Sequence, residues 1–305
     1  MSPKLLTIIP ATSQQGHSIL TTIHTHPTLS KEYTLRGITR TVTSPTALSL
    51  KNQGIEVVSA DLNIPETLSP AIASSHTVIL ITNTTYASPD FKSLELAHTK
   101  SVAKACLEAG VQHIIFSSAV PGKANWEGRP VDVFDSKATA EEYLRGLPMK
   151  VSVFWPGMFM QNFEGFMKPT LSQAGEWVVN CVVDGEKKLP MVDAAGDMGA
   201  FVVPLLMGEE RTYAASGVWS FNEMVEVIRR VSGRKVRYER MDEEVYAGFM
   251  PGQMGPKVVE MLRFYDEVGY YGGDEEGKVR ETLEVVERKV SSFEEFAERR
   301  LREWQ

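Results

Sequence analysis

Two cysteines in 305 residues are too few for a disulfide framework, and Cys106 and Cys181 lie too far apart in the chain to form a metal-binding knuckle. Both read as buried, reduced thiols, and no metal site is expected. Long apolar runs are also missing: no stretch approaches the roughly 20 residues needed to cross a bilayer. The short apolar or β-branched run between Lys4 and Pro10 falls short of a secretory signal. The expected location is therefore cytoplasmic, with the nucleus open to a regulator, and no membrane partner is expected. Positive charge is scarce as well, with 32 Lys and Arg against 39 Asp and Glu and a net charge of −7. No basic stripe is interleaved with aromatics, which argues against a direct nucleic-acid partner. The acid excess lies mostly in the C-terminal part, where Glu and Arg alternate around helical apolar positions as on a solvated helix face.

What is present is enough apolar residue, 43% of the chain, for one large α/β unit and a smaller partner domain. Residues 4–9 read as an apolar strand that breaks into a small polar loop and continues as helix. That order places a pyrophosphate on a helix N-terminus. The glycine spacing usual for such a turn falls on Pro10, Ser13 and Gly16, so only the third glycine is kept. Gly16 still allows close approach of helix and strand, whereas Pro10 has no N–H and Ser13 carries a Cβ where backbone normally meets phosphate. Tyr33 to Thr39 reads as the second strand. Arg40 follows it at the position where an acidic residue binds a ribose 2′-hydroxyl and an arginine accommodates a 2′-phosphate, so the pattern favours NADP(H) over NAD(H). A third strand, Ile55 to Ala60, ends in Asp61, and a fourth, Thr77 to Thr82, ends in Asn83. Both fall at the carboxyl edge where open α/β sheets take ligands, although Asp and Asn are also ordinary turn and cap residues.

The βα rhythm continues through a helix from Asp90 to Ala109 closed by Gly110, a strand from His113 to Phe116 ending at Ser117, a helix from Asp135 to Arg145 and a sixth strand from Val151 to Trp155. This predicts a doubly wound, parallel Rossmann sheet over residues 1–155 that binds NADP(H), and a smaller α+β domain over 156–305 for substrate or partner, some of whose strands return to the Rossmann sheet. Trp177 to Val183 and Lys188 to Met191 read as a hairpin about Asp184 and Gly185. Ser220 with Glu223 and Ser292 with Glu295 are capping-box signatures.

Several of these segments taken together resemble the NmrA-like branch of the atypical short-chain dehydrogenases. They are Ala11-Thr12-Ser13-Gln14-Gln15-Gly16, Ile38-Thr39-Arg40, Gly110-Val111 to Phe116-Ser117, Phe134-Asp135-Ser136-Lys137, and Pro156-Gly157-Met158-Phe159-Met160-Gln161-Asn162-Phe163. The resemblance runs through most of the chain and implies a Rossmann-type protein that binds NADP(H) or NAD(H). Such a protein is either a reductase of aromatic or carbonyl substrates or a sensor of the cofactor that does not turn it over. It implies cofactor contacts from residues 11–16, Arg40, Asp61, Asn83, Lys137, Phe159 and Asn162. In ordinary short-chain dehydrogenases a tyrosine four residues before a lysine delivers the proton; that position here is Val133. Tyr143 lies roughly 120° off the face of Lys137 on a helix. Two roles stay open for Lys137: acid or base, directly or through water, and ribose contact alone. Ser117 is a candidate to assist by holding a substrate oxygen. Tyr86, Met158, Met160 and Phe163 are candidates for an apolar substrate cleft, and Trp126 for a closing loop. The partner is then a small hydrophobic carbonyl or unsaturated substrate or, for a sensor, a regulatory protein.

Overall fold

The computed structural model describes residues 2–84, 88 and 90–303. Its strands, in chain order, are β1 (Lys4–Ile9), β2 (Tyr33–Thr39), β3 (Glu56–Ser59), β4 (Thr77–Leu80), β5 (His113–Ser117), β6 (Lys150–Pro156), β7 (Met158–Phe159), β8 (Thr170–Leu171), β9 (Trp177–Cys181), β10 (Leu189–Val192), β11 (Arg211–Ala214), β12 (Gly217–Trp219) and β13 (Val236–Arg240). Seven of them form one sheet in the order β11-β6-β5-β4-β1-β2-β3, and every pairing in it is parallel. A parallel sheet needs both faces covered, which is why β4 and β5 are buried along their whole length. Chain order reverses between β1 and β4, and a crevice opens there at the carboxyl ends of the strands.

Two expectations about local structure need correction. The helix expected from Asp135 begins at Asp132. The carboxylate of Asp135 accepts from the Val131 amide at 2.7 Å and so closes an earlier first turn. The hairpin about Asp184 does not form: β9 pairs in parallel with β13 and antiparallel with β8, while β10 pairs antiparallel with β12 and in parallel with β7. Alternating hydrophobicity identifies a strand but not its neighbour.

The chain after Pro156 divides its strands between the large sheet and two three-stranded sheets. β11 returns to the large sheet beside β6, with Tyr213 opposite Trp155. The Met198–Met207 helix packs on the Gln14–Thr25 helix, where the Gly199 amide donates to Ser18 Oγ at 3.3 Å. Both capping boxes are formed and start the Phe221–Ser232 and Phe293–Arg300 helices. Cys106 and Cys181 are buried and unpaired, and burial pushes their thiols up to about 12 and about 11. They are therefore inert at neutral pH. Among the described residues no helix is long and apolar enough to cross a membrane.

His113, on β5, bonds Ser152 on β6 at 3.0 Å. Burial, followed by the charges of Lys150 and His76, lowers its pKa from 6.5 to about 4. Below pH 6.5 the unfolded chain takes up a proton that the folded chain refuses, so stability falls as pH drops from about 6.5 towards 4. Melting followed by scanning fluorimetry should show a steeper decline across that window in the native chain than in His113→Asn. Equal slopes would remove His113 from the account.

Candidate functional site

The loop after β1 is organised by Ser13, the N-cap of the Gln14–Thr25 helix. Its hydroxyl accepts from the Gly16 amide and donates to the Pro10 carbonyl, each at 3.0 Å. A hydroxyl thus holds the turn that glycines were expected to make. Gly16 is required by space, because a Cβ there would lie 2.1 Å from the Pro10 carbonyl oxygen. The amides of Gln14 and Gln15 have no acceptor within their own helix, as at any helix start, and the first turn carries no acidic residue. Such an end favours an anion.

Above this loop lies a cavity of about 630 Å³. Thr12, Ser13, Gln14, Gln15, Arg40, Asp61, Asn83 and Phe159 all line it. Four other expected contacts do not: Ala11, Gly16, Lys137 and Asn162 are not among its lining residues. Ala11 is fully buried and donates its amide to the Ile38 carbonyl at 2.8 Å. Gly16 is buried against Pro10. Asn162 turns its carbonyl to the Gly165 and Met167 amides.

The cavity has two chemically different ends. At one, Arg40 is exposed beside Thr41 and Ser44, a guanidinium next to two hydroxyls. Asp61 accepts from the amide and side chain of Asn63, both at 2.9 Å. The Asn63 amide, with Arg40 and His98 adding their charges, holds the Asp61 carboxyl below the usual range despite burial. Asn63 also meets His98 Nε2 at 3.1 Å. His98 was not read from the sequence, because it sits on the distant Phe91–Ala109 helix with no local motif around it.

At the other end, Thr82 joins the cavity to a buried ion pair. Lys137 Nζ lies 2.5 Å from Glu95 Oε1, 3.0 Å from Thr82 Oγ1 and 3.3 Å from the Thr82 carbonyl. The Glu95 side chain is 0% exposed and accepts from the Thr82 and Ser136 hydroxyls, each at 2.5 Å. Burial alone would raise the Glu95 carboxyl. The Lys137 charge and the hydrogen bonds from Lys137, Ser136 and Thr82 outweigh it and hold the group below its ordinary value. An ammonium has three protons to donate, and three acceptors surround this one. Glu95 is a second residue that sequence reasoning missed. It looks like any polar residue on a helix, and only the packing of that helix against Asp132–Arg145 brings it to Lys137.

The remaining candidates separate clearly. The Ser117 hydroxyl donates to Gln15 Oε1 at 3.1 Å and ties β5 to the first helical turn. Val133 is buried in apolar core, and Tyr143 faces Lys100, whose Nζ stands 5.3 Å from the ring centroid. Met158, Met160 and Phe163, expected in a substrate cleft, are core residues with at most 5% exposure. The period of two on β7 turns Met158 inward and Phe159 to the cavity. Phe163 packs edge-on to Phe293, with centroids 5.1 Å apart. Trp126 is buried, with Nε1 donating to Glu267 at 2.9 Å, so it is a fixed residue and not a lid. Tyr86 lies outside the described residues.

Comparison with known proteins places this geometry in context. A model of the NmrA-like family matches residues 2–297. An NmrA-like family domain-containing oxidoreductase of Malbranchea aurantiaca is 29% identical over 266 residues, covering 78% of this chain and 76% of that protein. Among solved structures, the negative transcriptional regulator NmrA in complex with NADP superposes with a TM-score of 0.80 at 18% identity, covering 99% of this chain and 96% of that one. An NADPH-dependent quinone oxidoreductase of Escherichia coli, complexed with NADPH, gives a TM-score of 0.77 at 18% identity, covering 97% and 99%.

Proposed function

The chain belongs to the NmrA-like family, and from that premise we propose that it binds NADP(H) in the cavity above the β1 loop and reduces an electron-poor conjugated acceptor. The observation that carries the reading is that one cavity joins a helix N-terminus free of acidic residues, the Arg40 rim and Thr82. Gly16, where a Cβ would meet the Pro10 carbonyl, lets the helix start lie close against β1, so that its first turn opens on the cavity where a pyrophosphate would bind. Gln14 and Gln15 would hold it with their amides. Arg40, Thr41 and Ser44 would hold a 2′-phosphate, with the guanidinium supplying charge and a planar fork. When bound, NADPH supplies a hydride.

The acceptor class follows from what this chain's own residues do with protons. Val133 offers no hydroxyl, Ser117 donates to Gln15, and the three protons of Lys137 are directed at Thr82 and Glu95. A simple ketone needs a proton as its oxygen becomes an alkoxide, and among the described residues these three positions do not offer one. A quinone or enone becomes a stabilised anion whose proton arrives later from water, and a cationic dye becomes a neutral product that needs none. The quinone oxidoreductase among the structural neighbours supports the class, and the relative at 29% identity supports oxidoreductase chemistry in general.

Absorbance at the NADPH band should fall with quinones and enones and stay flat with simple ketones. The solvent deuterium effect should be near unity, while deuterium on the transferred position slows the step. A second reading, a cofactor sensor acting on a regulatory protein, is favoured by the same commitment of Lys137 and the missing hydroxyl at Val133. Tight NADPH binding with no oxidation by any member of the panel would decide for it.

Arg40→Asp tests the cofactor reading separately. It should weaken NADPH relative to NADH by roughly 10- to 100-fold, in line with the ~1–3 kcal/mol of a charged hydrogen bond. Equal loss of both cofactors in calorimetric titration would leave Arg40 with no part in recognising the 2′-phosphate.

A further inference from the structure

A second cavity, of about 990 Å³, shares no lining residue with the first. It lies along the β11 edge of the large sheet, between that edge and the flank of the Asp132–Arg145 helix that carries Asp135, Ala138, Thr139 and Glu142. Its floor is aromatic. Trp155 and Tyr213 stand opposite each other in the β6–β11 register, with ring centroids 5.4 Å apart, and Tyr213 meets Tyr271 at 5.2 Å. The Tyr271 hydroxyl donates to the Trp155 carbonyl at 3.0 Å, so the floor is fixed.

Two cations stand over these rings. Arg211, two residues before Tyr213 and therefore on the same face of β11, places its guanidinium 4.3 Å from the Trp155 ring centroid. Lys278 Nζ lies 5.8 Å from the Tyr213 centroid. It donates to the carbonyls of Tyr271 and Gly273 at 2.8 and 2.6 Å, which leaves a third proton. Among the described residues neither Arg211 nor Lys278 has a carboxylate within ion-pair distance. The acids in the wall are otherwise engaged. Glu141 accepts from Trp155 Nε1 at 3.1 Å and from Arg145 at 2.8 Å. Asp135 accepts from the Lys123 and Val131 amides. Glu142 is the exposed carboxylate that remains.

We propose that this cavity binds a planar aromatic carboxylate, its ring against Tyr213 beside the Arg211–Trp155 pair and its carboxylate on Arg211 and Lys278. A guanidinium over an indole keeps its N–H edge free for a bidentate contact, and the half-buried Tyr213 ring beside it offers aromatic surface that a simple inorganic anion would not use. This site is separate from the proposed reaction, because Lys137 faces Glu95 on the opposite flank of the same helix.

The test uses 2-naphthoate and its neutral counterpart 2-naphthamide, titrated calorimetrically into the full chain with and without saturating NADPH. The acid should bind at one site, at least tenfold tighter than the amide, with its affinity unchanged by NADPH. Arg211→Gln should lower that affinity at least tenfold, and Glu142→Gln, on an exposed residue whose loss does not threaten folding, should raise it. Equal affinity for acid and amide, no response to Arg211→Gln, displacement by NADPH, or no gain from Glu142→Gln would each overturn the proposal.

Discussion

Glu95→Leu is expected to destabilise the protein by about 3–5 kcal/mol, the range for removing one partner of a buried ion pair, and to lower its melting temperature by roughly 5–15 °C. The change leaves Lys137, whose side chain is only 18% exposed, facing leucine where a carboxylate stood. It also leaves the Ser136 and Thr82 hydroxyls without their acceptor. Lys137→Met makes the opposite vacancy, and its pH dependence should reverse that of the native pair. In the native chain the lowered Glu95 pKa gives stability that is present above the ordinary carboxylate range and lost as pH falls through the folded value. Without Lys137, burial acts with less opposition and the folded pKa rises, so stability is lost as pH rises through it. The double variant Glu95→Leu with Lys137→Met should recover much of the loss, since an apolar pair of similar volume replaces a desolvated charge pair. Chemical denaturation of the four proteins at pH 5 and 7.5 measures the cycle. Additive losses in the double variant would mean that the two side chains do not act as a pair.

Gly16→Ala is the second large effect. A Cβ 2.1 Å from the Pro10 carbonyl oxygen cannot be accommodated by a side-chain rotation, because the atom it meets is backbone. The helix must move away from β1, which breaks the Ser13 cap geometry and costs about 1–3 kcal/mol as overpacking. The same shift withdraws the Gln14 and Gln15 amides from the cavity. NADPH affinity should therefore fall by roughly 10- to 100-fold, beyond what Ser13→Gly produces, since glycine at an N-cap costs only a few tenths of a kcal/mol. Affinity unchanged in Gly16→Ala would show that the cofactor does not approach the backbone there, and the binding site would have to be sought elsewhere in the cavity.

Reading the sequence located the elements well because local periodicity carries that information. Residues 33–39 are β2 as expected, Gly110 takes the left-handed conformation with φ of 69° that closes its helix, and the loop of residues 10–16 stands at the mouth of the cavity with Arg40 on its rim. Short crossovers between apolar strands also marked β1 to β6 as members of one parallel, doubly wound sheet. The sequence did not reveal Ser13 as the cap of the first helix, because a serine's role depends on which amide its hydroxyl meets.

Tertiary structure decided the rest. Whether Met158, Met160 and Phe163 face a ligand or a core depends on what packs over them, and here all three join the main core, with Phe163 against Phe293. Whether Lys137 is a free acid or one half of a buried pair depends on Glu95, 42 residues away on another helix. The sheet's seventh strand came from residues 211–214, after a long excursion through the small sheets. Each of these outcomes is a pairing between distant segments. A periodic pattern specifies which face of an element is apolar or charged, but the partner for that face is chosen only when the whole chain competes for it.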